Sequence, residues 1–135
     1  MKLDKGDKML IEKAKEIIVK SAPVKLIDTG TVGASLITSQ GNIYSGVCIG
    51  HYCGIGSCGE YQAIGNMISN GEKEIKKIVA VTDSGKVISP CGKCREMISQ
   101  TCRKNKDTEV IISSSKKVKL KDLLPYNNWG GSIEK

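Results

Sequence analysis

The chain has 135 residues, a formal net charge of +7, six cysteines, one Trp and no Phe. That length suits a single domain, read here as residues 1–135, whose packing must come mainly from Ile, Val and Leu. The opening MKLDKGDKMLIEKAKEIIVK has no apolar signal-peptide core, and no apolar run is long enough to cross a bilayer. Both features argue against a secreted disulfide scaffold and a membrane protein, and reduced cysteines in a cytoplasmic protein are expected.

From Asp7 to Lys20, residues Leu10, Ile11, Ala14, Ile17 and Ile18 fall on one helical face opposite Lys and Glu, and Pro23 stops the helix. Ala34 to Thr38 and Ile43 to Ile49 read as a strand pair joined by the turn Ser39-Gln40-Gly41-Asn42. A glycine-containing loop, His51 to Ser57, comes next. Gly59 to Asn70 carries Ala63, Ile64, Met67 and Ile68 at helical spacing, with Asn70-Gly71 as its stop. Ile75 to Thr82 is a β-branched strand, and Asp83-Ser84-Gly85 turns the chain toward Pro90. A third helix is expected from Gly92 to about Arg103, a fourth strand over Glu109 to Ser113, and a fifth strand or short helix over Val118 to Leu124. The terminal segment Asn127 to Lys135 is expected to be loosely ordered. Strands separated by helices imply an α/β sandwich. The basic residues are scattered without a stripe of interleaved aromatics, so nucleic acid is not the expected partner.

Two of the expected helix N-termini present three thiols: Cys58-Gly59-Glu60 opens one helix, and Pro90-Cys91-Gly92-Lys93-Cys94 opens the next. Catalytic zinc takes three protein ligands and leaves a fourth position for water. A Cys-x-x-Cys turn supplies two adjacent corners through Cys91 and Cys94, and Cys58 supplies the third. Three thiolates more than cancel the charge of Zn2+, so the helix N-termini, with Lys93 and Arg95, are candidates for compensation. Glu60, two residues after Cys58, is placed to reach the open position without binding metal and to move protons there. The alternatives are a closed zinc site with Cys53 or Cys48 as fourth thiolate, a redox pair of Cys91 and Cys94, and a Glu60 that merely favours the helix dipole.

Cys-x-Glu followed about thirty residues later by Pro-Cys-x-x-Cys resembles the cytidine deaminase family. Gly41-Asn42-Ile43-Tyr44-Ser45-Gly46-Val47, Ser89-Pro90-Cys91-Gly92-Lys93-Cys94-Arg95 and Leu123-Leu124-Pro125 are similar to it as well, and the likeness covers nearly the whole chain. Gly46 to His51 resembles the Gly-Val-x-x-x-His stretch of the small blasticidin S deaminases. The resemblance implies a three-layer α/β/α sandwich with a five-stranded mixed sheet, a homotetramer, and zinc-dependent hydrolytic deamination of a free small molecule. The small molecule would be an aminopyrimidine nucleoside or a related amino-heterocycle. Glu60 would carry a proton from water to the ring nitrogen and then to the departing amine. Cys58 rather than His at the first ligand position resembles the free-nucleoside branch. Cys48, His51, Gly59, Ser89 and Trp129 are the further candidates for the substrate pocket, Trp129 near the place where relatives put an aromatic over a neighbouring subunit's site.

The departures bear on the substrate. Relatives carry Asn-x-Glu for the ribose where this chain has Cys48-Ile49-Gly50, and an aromatic where it has Gly30. Gly59 stands for the customary Ala, Tyr61 at a position often filled by Arg, and Glu96 where Gln is common.

Overall fold

The computed structural model describes residues 1–127. Helix α1 spans Lys5–Lys20, and its start is set by a reciprocal capping box: Asp4 accepts from the Asp7 backbone N–H and Asp7 accepts from that of Asp4. Strands β1 (Thr29–Thr38) and β2 (Ile43–Ile49) form the expected hairpin, after which come α2 (Gly59–Ser69) and β3 (Ile75–Thr82). The remaining elements are β4 (Val87–Ile88), α3 (Gly92–Thr101), a 3-10 turn (Arg103–Asp107), β5 (Glu109–Ile111), β6 (Lys117–Lys119) and α4 (Leu120–Leu123).

The main sheet runs β2-β1-β3-β5-β6, with β4 paired to β3 beside that path. Only β3 and β5 are parallel, and α3 with the 3-10 turn makes the crossover between them. The two faces separate by strict alternation along β3. Ile78 and Ala80 join Leu36, Ile64, Met67 and Ile98 on the side of α2 and α3, whereas Val79 and Val81 join Leu10, Ile11 and Ala14 of α1 on the other. The α/β/α layering is therefore as expected, but the sheet has six strands rather than five.

The differences have local causes. Thr29 to Gly33 contains two glycines and does not look like a strand, yet β1 begins there through a register shift opposite β2. With only two residues, β4 is too short to show a period. The segment read as a strand or a helix divides into both, β6 and then α4.

The far end of α3 is tied to the sheet by Asn105, which is fully buried. Its amide donates to the carbonyls of Ile98 and Lys73, and its oxygen accepts from the Ile75 N–H at 2.8 Å. Every polar group of that side chain has a backbone partner, so α3 is held in a fixed position against the edge of β3.

Candidate metal centre

The helices α2 and α3 each use a cysteine as N-cap, Cys58 for α2 and Cys91 for α3. The usual caps are Ser, Thr, Asp and Asn, so a thiol at both positions gives up a local preference. What the two positions share with Cys94 is a meeting point. The three sulfurs all lie within 4.8 Å of one another, with Cys58 Sγ and Cys91 Sγ 4.0 Å apart. Metal–sulfur bonds of about 2.3 Å in a tetrahedron separate neighbouring sulfurs by about 3.8 Å, so the donor set has the size that zinc requires.

The electrostatics of the thiols agree with that fit. Burial, with the charges of Cys91 and Glu60 nearby, pushes the Cys58 thiol up. Burial and the Glu60 carboxylate push the wholly buried Cys94 thiol further up. Cys91 moves the other way, because the backbone N–H groups of Cys94 and Lys93 at the head of α3 favour its thiolate. Three soft donors crowded so that two resist ionisation on their own are a set whose charge a dication relieves.

Glu60 sits in the first turn of α2, 5% exposed, and burial lifts its carboxyl above the ordinary range although its own backbone N–H and the Cys94 thiol pull the other way. The close seat of α2 comes from two glycines. A Cβ on Gly59 would lie 3.2 Å from both Ala34 N and Val32 O. A Cβ on Gly46, across in β2, would lie 2.7 Å from Ala63 N. The bare backbone at Gly46 lets the helix carrying Cys58 and Glu60 press onto the sheet.

The other sequence candidates are dispersed. Cys48 Sγ lies 3.1 Å from Thr31 Oγ1 and accepts from Val32 N at 3.3 Å, where β1 shifts register, so its thiol serves the hairpin and does not join the triad. Cys53 is exposed in the loop before α2. Among the described residues the sulfur cluster therefore comprises Cys58, Cys91 and Cys94, without a fourth thiolate. His51, with Gly50 and Tyr52, lines one side of an open pocket of about 380 Å3 whose other side is Val24 to Asp28. Ser89 accepts from Arg95, whose guanidinium also donates to Pro90 O and Leu123 O and thereby binds the turn before Cys91 to the end of α4. Lys93 donates to Gly56 O and stands over the ring of Tyr61. Trp129 lies outside the described residues.

Two features escape a reading of the sequence. The Ser57 hydroxyl is buried without a hydrogen-bond partner among the described residues, directly before Cys58. Gly30 has φ of +71°, a conformation that residues with a side chain rarely adopt.

A mixed α/β sheet presenting a three-cysteine cluster and a buried glutamate at two helix N-termini defines the class. A family model described as the cytidine and deoxycytidylate deaminase zinc-binding region matches residues 5–111. The chain belongs to that family. The blasticidin-S deaminase of Bacillus cereus is 46% identical over 77 residues, 50% of this chain and 55% of that protein. The cytidine deaminase of Sporosarcina psychrophila is 35% identical over 72 residues, 53% of each. The chain spans about half the length of these curated relatives. The cytidine deaminase of Mycobacterium tuberculosis superposes with a TM-score of 0.77 over 93% of this chain and 98% of that one, at 21% identity. That of Burkholderia pseudomallei has a TM-score of 0.72 over 88% and 96%, at 27% identity.

Proposed function

We propose that residues 1–135 form a single-domain, zinc-dependent hydrolytic deaminase acting on a free aminopyrimidine nucleoside or a related amino-heterocycle of the blasticidin S type. The observation that carries the reading is the placement of buried Glu60 two residues beyond Cys58 and against Cys94, within a triad of sulfurs sized for one metal. Held by Cys58, Cys91 and Cys94, zinc would supply the Lewis acidity that lets water act as a nucleophile near neutral pH. The chain's own part is proton movement. Glu60 takes a proton from the attacking water and places it on the ring nitrogen next to the amine-bearing carbon, then takes the second proton from the hydroxyl now on that carbon and delivers it to the amine as it leaves. One water is consumed, a carbonyl replaces the amine, and ammonia departs.

The 46% identity to the Bacillus cereus blasticidin-S deaminase supports including that substrate class. We read the assembly as a homotetramer, in keeping with the exposed Leu26, Tyr52 and Ile55, and the location as cytoplasmic; no described helix is long and apolar enough to cross a membrane.

The test is ammonia release by zinc-loaded protein over cytidine, deoxycytidine, blasticidin S, cytosine and aminopurines, with Glu60→Gln alongside. Turnover on at least one substrate is expected, falling by at least a hundredfold in the variant while its zinc content stays the same. Full turnover by Glu60→Gln would remove the glutamate from the mechanism. Silence across the panel with bound zinc would favour a deaminase-fold zinc protein without catalysis.

A further inference from the structure

The open pocket beside His51 holds two charges that the chain itself leaves unused. Lys25 and Asp28 both line it, opposite Gly50 and His51. At the same sequence spacing on α1, Lys13 pairs with Glu16 and Lys15 with Glu12. Lys25 and Asp28 lie in a non-helical segment, and neither side chain has a hydrogen-bond or ion-pair partner among the described residues. A cation and an anion that share one pocket without neutralising each other each keep the capacity to meet a ligand group of opposite sign.

Backbone pairing fixes this pocket relative to the metal centre. Thr29 pairs with Ile49 at the end of the hairpin, and one residue further Gly50 N donates to Asp28 O at 2.7 Å. On the other edge of β2, Ile49 and Ser57 exchange backbone hydrogen bonds of 2.9 and 2.8 Å, and Ser57 directly precedes the N-cap Cys58. Bare backbone keeps these segments close: a Cβ on Gly50 would lie 3.5 Å from Asp28 Cβ, and a Cβ on Gly56 would lie 3.8 Å from Gly50 Cα. Three backbones side by side at about 4.8 Å put Asp28 about 10 Å from the start of α2. A substrate with its amine at the metal centre reaches Lys25 and Asp28 only through the part that lies beyond its heterocycle.

We propose that this pocket is a charged substrate subsite, in which Asp28 holds a cationic group and Lys25 a carboxylate on the non-heterocyclic part of the substrate. The proposal rests on the deaminase reading above and narrows it to an amino-heterocycle with a zwitterionic, amino-acid-like arm. A neutral sugar leaves both charges unmatched. A ligand of one sign meets one attraction and one repulsion, whereas an arm carrying both signs satisfies the two side chains together.

Blasticidin S and cytidine make the test, because the first carries a carboxylate on its sugar and an amine and a guanidinium on its arm, and the second carries none of these. Zinc-loaded protein is expected to show a lower KM for blasticidin S than for cytidine. The ratio of kcat/KM for blasticidin S to that for cytidine should fall about tenfold in Asp28→Asn and about fivefold in Lys25→Met, with the loss carried by KM rather than kcat. Asp28→Glu, which keeps the charge, should recover part of it. Calorimetric titration of blasticidin S into zinc-loaded Glu60→Gln protein, with and without the pocket substitutions, should give the same ranking. Its affinity there should fall as salt rises from about 0.05 M to about 0.5 M. Blasticidin S binding and KM unchanged in Asp28→Asn, or equal losses on the two substrates, overturns the proposal. Silence on every substrate, with blasticidin S still bound in a manner that depends on Asp28, would support the subsite and overturn the deaminase reading.

Discussion

At the scale of single residues, the triad and the surroundings of the expected sugar contacts have different characters. Cys58, Cys91 and Cys94 converge from two helix starts, while Cys48 is engaged by Thr31 and Val32, Gly50 has no side chain to offer, and Gly30 holds a backbone conformation unsuited to an aromatic. A site that pairs with a substrate hydroxyl rejects the analogue lacking it strongly, and a site without the pairing group does not. If cytidine is a substrate at all, its kcat/KM and that of deoxycytidine are expected to agree within about tenfold. A gap of a thousandfold between them would mean that another group of this chain reads the sugar. The triad and Glu60 are legible in the sequence because ligand spacing is short and tied to helix starts. The Tyr61–Lys93 pair is not, because its members lie on different helices and only the packing of α2 against α3 brings them together.

At the scale of elements, the seating of α2 decides where Glu60 and Cys58 stand. Gly46→Ala puts a methyl 2.7 Å from the Ala63 backbone nitrogen, an atom that can yield only if the helix moves. The expected cost is about 2 kcal/mol of stability, measured by urea denaturation. Gly65→Ala in the same helix is the control. A Cβ there meets nothing within 4 Å, and the change is expected to be neutral or to add about 0.5 kcal/mol. Equal losses in the two variants would mean that close approach at Gly46 is not what seats the helix. Helices α1, α2 and α3 and strands β2 and β3 are readable from periodicity because each has enough residues to show a period. The first half of β1 is hidden by its glycines, β4 by its two-residue length, and the 3-10 turn by a charged sequence, RKNKD, whose decisive residue is the buried Asn105.

At the scale of the whole molecule, the start of α1 is fastened to the sheet by a cluster that no local pattern reveals. Asp7 is fully buried, with Lys117 Nζ at 2.7 Å and Lys77 Nζ at 2.9 Å, and Lys117 also reaches Glu109 and Asp4. Burial raises the Asp7 carboxyl, but hydrogen bonds from Lys117, the Asp4 backbone and Lys77 outweigh it and leave the group below its ordinary value. Asp4 is lowered as well, chiefly by the Asp7 N–H. Burial pulls both lysines down, yet their carboxylate partners leave Lys77 and Lys117 raised. The lowered carboxylates contribute stability that is complete above their unfolded value of 3.8 and is lost as pH falls through the depressed folded values. The raised lysines contribute stability that is complete below 10.5 and is lost as pH rises through their elevated values. The cluster's contribution should therefore be flat from about pH 4 to about pH 10 and decline outside that window. Asp7→Asn keeps the capping acceptor but leaves Lys117 and Lys77 short of a buried counter-charge, and a loss of about 3 kcal/mol at pH 7 is expected. The gap between variant and wild type should narrow as pH drops below 4, since Asp7 of the unfolded chain takes up its proton there while the folded carboxylate, held lower, still resists it. Urea denaturation at a series of pH values checks this, and a gap that stays constant down to pH 2 would show that the loss comes from packing rather than from the charge of Asp7.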